Sequence, residues 1–575
     1  MYFLLPLYTL LFLGAAQKYR TDWPTALQLC LSMGIMLCWM VLGGIFLCQN
    51  QWLNSSSVLI WMALGAILAC LYQMPKISKE MMLSKTNGIA LILLPYFIMS
   101  AVPPWYRDSL TYHLSLPQLW ASHGGYVATD EIIFSYFPQG WQSALSCFYA
   151  LGAPHNPRLL VPWIVGASAF GVVGLTQIFS RDKQKQFWIS GALFLLIPTV
   201  LEFGSSCYVL APLLLFSTLA FAFHKSQDLS GLIICSACLA SLKYSGLILI
   251  VLLGLSLLPE YRKGLKYLIW TALFGSFFYL KNIVLKGNPV FPLAYDIFGG
   301  EGWDSWRAWG YEQTLNNYGE GRSFYDYLVL PFKVGITQDL NYHFQGSLGP
   351  SILIVWMAAV YRSFRKEPYL LWILIGWPVI WSTQVQQIRF LLPFIPLVLA
   401  LGVNQLRFKH LAMLLTASIF WSFSPTKELW NRQKTSTFIS GEITDAEFLS
   451  QKLPENYPMY QRCLELNVNK VWLVWMRGYT YYLPMKYRVD SVFGAWRFEQ
   501  LLEYDSEHIL NTLRENQFDH ILINHRFFLV DDNADTSEGR TKNLQKRFEE
   551  LIRLKILKPV EQHGPIILYE VNLSL

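Results

Sequence analysis

The chain has 575 residues, 53% hydrophobic, 16% aromatic and only 14% charged, with a formal net charge of +7. A soluble protein carries about a quarter charged residues, so composition argues against a soluble enzyme. The positive excess sits in short loops, where membrane orientation explains it better than nucleic-acid binding. Repeated apolar runs approach the roughly 20 residues needed to cross a hydrocarbon layer, which predicts a polytopic α-helical membrane protein.

The first apolar segment, at about 1–16, has no basic residue before it and reads as a span, not a secretory signal. Segments at about 25–48, 57–73 and 88–104 follow. The loop after the first carries Lys18 and Arg20, and the loop after the third carries Lys76, Lys79 and Lys85; the QNQWLNSSS loop between is uncharged. The positive-inside rule puts both basic loops in the cytoplasm and the stretch Ala101–Gly140 outside. A short apolar helix at 141–152 is expected to lie in the interface. Segments at 159–179, 187–203, 207–223, 231–243 and 246–258 then place the basic loops 181–186 and 260–266 inside. A span at 267–285 leads out to a second long loop, 286–348, rich in Trp, Tyr and Gly. Segments at 349–361, 369–382, 390–404 and 408–424 close the bundle, with Arg362, Arg365, Lys366, Arg407 and Lys409 in the inner loops. The expectation is about fourteen spans.

From Thr426 onward the composition changes, with 19 of the 45 Lys and Arg and 21 of the 38 Asp and Glu. This marks a water-soluble domain, 425–575, on the outer side. Short β-rich runs at 468–475, 520–525 and 565–571, with a helical stretch Thr541–Leu554, predict a small α/β domain. It has no glycine-rich phosphate loop, so acceptor docking or scaffolding is its expected role. The nine cysteines are scattered, and Cys235 and Cys238 form a C-x-x-C inside an apolar helix without a second pair; packing is their expected role, and no disulfide framework is implied.

The stretch Ala101–Gly140 holds Asp108, His113, His123, Asp130 and Glu131 among aromatics, directly after a span. Ionisable groups near lipid are costly and mark functional sites. A carboxylate such as Asp108 is suited to general-base work; it equally suits the cap of a helix beginning near Ser109. His113 lies five residues on, a spacing that does not share its helix face. Binding of a divalent metal would fall to His123, His343, Asp130 and Glu131, but no metal-ligand spacing supports it and no cofactor is expected.

The run RDSLTYHLSLPQLWASHGG resembles the catalytic first outer loop of the GT-C glycosyltransferase superfamily, which includes protein O-mannosyltransferases and lipid A aminoarabinose transferases. SLKYSG (241–246), KNIVLKGNPVFP (281–292) and QIRFLLPFIPLVLALG (387–402) extend the resemblance over roughly Gly88–Gly402. Residues 1–87 are then extra N-terminal helices and 88–424 a GT-C-like core with outer loops 105–140 and 286–348. This chain has Arg107-Asp108 where many relatives carry two adjacent acids, and SSCYVL (205–210) lacks the acidic residue of a middle span, with Glu202 nearby. The resemblance implies an inverting, multi-pass glycosyltransferase of the cell inner membrane. It would move a sugar from a polyprenyl-phosphate donor to a lipid, glycan or protein acceptor of the cell envelope, on the outer face. In that reading Asp108 is the base. The growing charge of the leaving phosphate needs fixed cations, for which Arg389, Lys243 and Lys281 are the candidates, with Arg307 and Arg322 behind them. Tyr112, His113, Glu131, Trp303 and Arg307 would contact substrate, and Trp105, Tyr106, Trp306 and Trp309 offer stacking faces or an interface belt. Three alternatives stand beside it. One is a ligase or polymerase of lipid-linked glycans. Another is a transporter with discontinuous spans around Pro198–Pro212 and Ser241–Gly246. The last is a protein that binds prenyl-linked glycan without turning it over.

Overall fold

The computed structural model describes residues 5–76, 88–127, 129, 132–152, 157–180, 187–338, 340, 343–490, 496–529 and 538–574. They fall into two compact units, one of Met1–Pro104, Pro117–Val127 and Tyr136–Ser440, the other of Trp105–Leu116, Ala128–Ser135 and Gly441–Leu575.

The first unit is helical, and the helix Val161–Phe179 lies at its centre. It packs against the helices Thr25–Gln49, Leu210–Lys225, Trp188–Leu195 and Ile395–Val403. Small residues allow this: Gly174 lies against Leu27, and Gly171 against Cys30 and Thr218. In an apolar medium such close approach supplies the dispersion contacts that burial of greasy surface cannot. Among the described residues, three helices are long and apolar enough to cross a membrane: Thr25–Gln49, Ser55–Tyr72 and Pro157–Phe179. The pair Ser245–Ser256 and Leu258–Gly275, bent by 66°, makes a fourth if it is one span. Shorter apolar helices occupy Ile89–Ser100, Leu210–Lys225, Leu229–Leu242, Pro368–Thr383 and Ile388–Val403.

Several expected spans are broken. The segment 187–203 divides into Trp188–Leu195 and Pro198–Gly204, because Pro198 has no N–H to continue the helix. The opened turn is closed by Ser347, whose carbonyl accepts from the Thr199 hydroxyl (2.9 Å) and whose N–H donates back to it (2.7 Å). The segment 267–285 divides at Ser276. The short segment at 141–152 is a helix, Gly140–Ala150, in which Gly140–Phe148 are buried, packed on Thr25–Gln49, with Gly44 against the Ser143 carbonyl. Its 11 residues would cover only about 16 Å at the helical rise.

The second unit is an α/β sandwich. Five strands, β1 (Lys470–Val474), β2 (Lys486–Asp490), β3 (His520–Asn524), β4 (Leu557–His563) and β5 (Ile566–Val571), are ordered β2-β1-β3-β5-β4. β1 runs parallel to both β2 and β3, while β5 is antiparallel to β3 and β4. Strand alternation sends Trp472, Val474, Ile521 and Ile523 to one face, covered by Phe498, Ile509, Leu513, Phe548 and Leu551. Val471, Leu473 and Leu522 face Met459, Tyr460 and Cys463 on the other. Two-sided coverage is what a mixed sheet with two apolar faces requires.

Candidate active site

Past Pro103 and Pro104 the chain turns helical at Arg107 and Asp108, then widens into a π-turn, Ser109–His113, closed by the Leu114 N–H on the Ser109 carbonyl (2.9 Å). Such widened turns recur at functional sites. Leu110, Leu114 and Leu116 anchor it by burial. Asp108 is half-buried, and the cap reading does not hold for it. Its φ of −64° and ψ of −33° are helical and its side chain makes no capping hydrogen bond, whereas a cap takes extended dihedrals and accepts an N–H. Tyr112 stacks on Phe134 (4.8 Å between centroids) and on His113 (4.1 Å), which is only 2% exposed. Asp108, Tyr112 and His113 belong to the second unit.

The expected cations lie in the first unit, and two of them share a ring. Phe390 has Lys243 Nζ 3.9 Å from its centroid and the Arg389 guanidinium carbon 4.9 Å from it. Arg389 is also 5.4 Å from Phe203 and 5.2 Å from Tyr208, and its Nε donates to Gln387 Oε1 (3.0 Å). The helix break after Leu242 leaves Lys243 half-buried in extended backbone. Arg389 lies in the turn Ile388–Leu391 that the leucine-proline run then tightens.

Lys281 forms a second group. Its Nζ is 5.6 Å from the Tyr136 centroid, and Lys286 Nζ lies 4.8 Å from the same ring. Tyr136 contacts Phe291 (5.3 Å), which contacts Trp303 (5.7 Å). Buried Arg307 donates to the Gly302 carbonyl (3.3 Å) and pairs with Asp304 (3.1 Å); Lys286 Nζ also lies close to Gly302. Tyr244 ties this group to its neighbour Lys243. Its hydroxyl lies 2.9 Å from the Phe291 carbonyl and 3.2 Å from that of Tyr136, to which Asn282 also donates (2.6 Å).

Arg322 does not join these groups; it bonds to the carbonyls of Tyr318, Glu320, Gly321 and Gln384. Trp306 and Trp309 are exposed. Trp105 stacks on Tyr106 (4.5 Å) and carries Lys452 Nζ over its ring (4.9 Å). His123 bonds locally to the Leu119 carbonyl, and His343 is exposed with a left-handed φ of 41°. Asp130 and Glu131 lie outside the described residues, among which no three His, Cys, Asp or Glu could hold a metal ion.

Sequence reasoning missed Lys286, although it lies within the run KNIVLKGNPVFP (281–292). It also missed Arg158, which is 1% exposed. Arg158 donates to the carbonyls of Met99, Val102, Pro103 and Ser205 and to Gln433 Oε1, at 2.7 to 3.2 Å. It fixes the chain just before the Asp108 segment. Glu202 is buried against Arg432 in an ion pair.

The family profile described as SF2091/S2213 matches residues 444–548, within the second unit. Among solved structures, the chain is similar to ArnT from Cupriavidus metallidurans bound to undecaprenyl phosphate. The two are 12% identical with a TM-score of 0.46, over 86% of this chain and 99% of that one. It is also similar to an Archaeoglobus fulgidus oligosaccharyltransferase complexed with zinc and sulfate, at 11% identity and a TM-score of 0.44, over 80% of this chain and 70% of that one. No curated protein matches the chain in sequence.

Proposed function

We propose that the protein is a membrane glycosyltransferase of the GT-C type, with about fourteen spans, that uses a polyprenyl-phosphate-linked sugar on the outer face of the membrane. The Asp108 carboxylate takes the proton of an acceptor hydroxyl as that oxygen attacks the anomeric carbon. The bond from carbon to phosphate oxygen breaks, the configuration inverts, and the polyprenyl phosphate departs. Lys243 and Arg389 bind its phosphate, with Lys281 and Lys286 adding positive charge, and Tyr112, His113, Trp303 and Arg307 are the residues expected to contact substrate.

The observation that carries the reading is the pairing of Lys243 and Arg389 on one ring, Phe390. Two cations distant in sequence and held on aromatic faces suit a site for developing phosphate charge in a low-dielectric setting. The helix break at Pro198, which a transporter would use to hold a solute, is filled instead by Ser347. The test is transfer of radiolabelled sugar from a panel of synthetic polyprenyl-phosphate sugars to membrane acceptors by the purified full-length chain. Asp108→Asn is expected to lower turnover by about 10² to 10⁴, the range for loss of a general base, with insertion and folding intact. Unchanged turnover removes Asp108 as the base, and movement of a free solute instead of sugar transfer replaces the proposal with the transporter.

A further inference from the structure

We infer that the soluble unit positions the Asp108 segment for reaction, through Lys452 and the turn Thr480–Tyr482, with Asn456 as the residue that fixes this turn. The inference rests on the reading of Asp108 as general base. It starts from where that segment folds: Trp105–Leu116 forms one compact unit with Gly441–Leu575. The aspartate is therefore carried by the tail domain, although more than three hundred residues separate them in sequence.

Two contacts bracket Asp108. On its C-terminal side the π-turn Ser109–His113 packs on the 3-10 turn Thr480–Tyr482. That turn continues β1 beyond the carboxyl edge of the sheet. Between them, Trp475 and Arg477 both adopt φ of 59° and Gly478 φ of 63°. Left-handed backbone at non-glycine residues persists only when the surroundings enforce it. Here the surroundings are specific. Asn456, 4% exposed, donates to the Met476 carbonyl (2.8 Å) and to the Tyr460 hydroxyl (3.0 Å), and Trp475 Nε1 donates to Glu499 (3.2 Å). Thr480 and Tyr481 are buried. A rigid ledge results. On the N-terminal side, Lys452 sets its ammonium 4.9 Å from the centroid of Trp105, three residues before Asp108. Lys452 ends the helix Asp445–Lys452, whose start is locked by a reciprocal Thr444–Glu447 cap. A general base must be held close to its productive geometry, and an ångström of drift is costly.

The test uses the full-length protein in lipid nanodiscs. Lys452→Met is expected to raise amide exchange in 105–116 by about fivefold or more, a local opening that leaves the protection of β1 and β3 as in the wild type. Lys452→Arg, which keeps a cation over Trp105, should restore the wild-type rate. Asn456→Ala should loosen the same segment from its other side. In the transfer assay, Lys452→Met should lower kcat about tenfold, as expected for a misplaced reacting group, while the donor KM stays within about twofold. Unchanged exchange of 105–116 in both Lys452→Met and Asn456→Ala overturns the inference, as does a loosened segment with wild-type kcat. Wild-type turnover in Asp108→Asn brings down the base reading itself, a result that exchange measurements do not depend on.

Discussion

Phe390 gives the clearest view of what a single side chain contributes. Its ring accepts Lys243 and Arg389 together, and each cation–π contact is worth about 0.5 to 2 kcal/mol depending on desolvation. Their roles need not be equal, because guanidinium offers a planar fork to phosphate and ammonium offers a point charge. Arg389→Lys is therefore expected to raise the donor KM and lower kcat/KM by about tenfold, one charge-assisted hydrogen bond's worth. Arg389→Met should lose more, with the fold retained; equal kcat/KM in all three proteins removes Arg389 from the proposed phosphate site. These two cations were legible because each flanks a helix break in an otherwise apolar run, where a charge needs a reason. Arg158 was not legible. In sequence it is an arginine after Asn156-Pro157, and nothing local reveals that four carbonyls from two distant segments converge on it. Arg158→Met would take a donor from each of those carbonyls, at about 1–3 kcal/mol for each one left unsatisfied. A marked drop in the thermal midpoint of the detergent-solubilised protein is expected, whereas an unchanged midpoint would mean that lipid or water replaces the guanidinium.

At the level of elements, β1, β3, β5 and the helix Glu538–Arg553 could be read from the sequence because their apolar residues repeat at strand or helix spacing. β2 (KYRVD) and β4 (LKPVEQH) could not, since both are sheet edges where charge and proline are tolerated and obscure the alternation. The helix break at Ser276 was hidden for another reason: hydropathy reports composition, not continuity. Missing β2 also concealed Asp490, at its end and fully buried beside β1. Burial pushes the Asp490 carboxyl up to about 7, against the pull of the Phe498 N–H that it accepts at 2.8 Å and of nearby arginines. The sign of its effect follows. Between its ordinary value near 4 and about 7, the folded protein holds a proton that the unfolded chain has released, so its contribution to stability falls as pH rises through that window. His525, whose pKa burial lowers, acts in the opposite direction, so the comparison must be differential. Asp490→Asn keeps an acceptor for Phe498 and stays neutral. It should match the wild type below about pH 4 and exceed it near pH 8 by a few kcal/mol, as unfolding of the tail domain would report. A constant difference across that range would show that Asp490 titrates as an ordinary carboxyl.

On the scale of the whole chain, the proposed chemistry needs a lipid-phosphate donor on the side where the Asp108 segment folds. That segment shares a compact unit with the tail, so the sidedness of the tail decides the sidedness of the base. Charge placement argues for the outer side: the loops expected on the inner side carry Lys18, Arg20, Arg262, Lys263, Lys266, Arg362, Arg365 and Lys366, and Lys and Arg bias short loops toward the cytoplasm. The tail, with near-balanced charge, is neutral to that rule and follows the last span. Single-cysteine labelling with a membrane-impermeant maleimide tests the argument directly, because the nine native thiols are buried or half-buried. Glu515 and Arg262 are both exposed. Glu515→Cys should react in intact cells, and Arg262→Cys only after the membrane is permeabilised. The reverse pattern would put Asp108 in the cytoplasm. The acid would then face soluble nucleotide sugars, the case for a lipid-linked donor on the outer face would fail, and the cations around Phe390 and Tyr136 would need another anion to explain them.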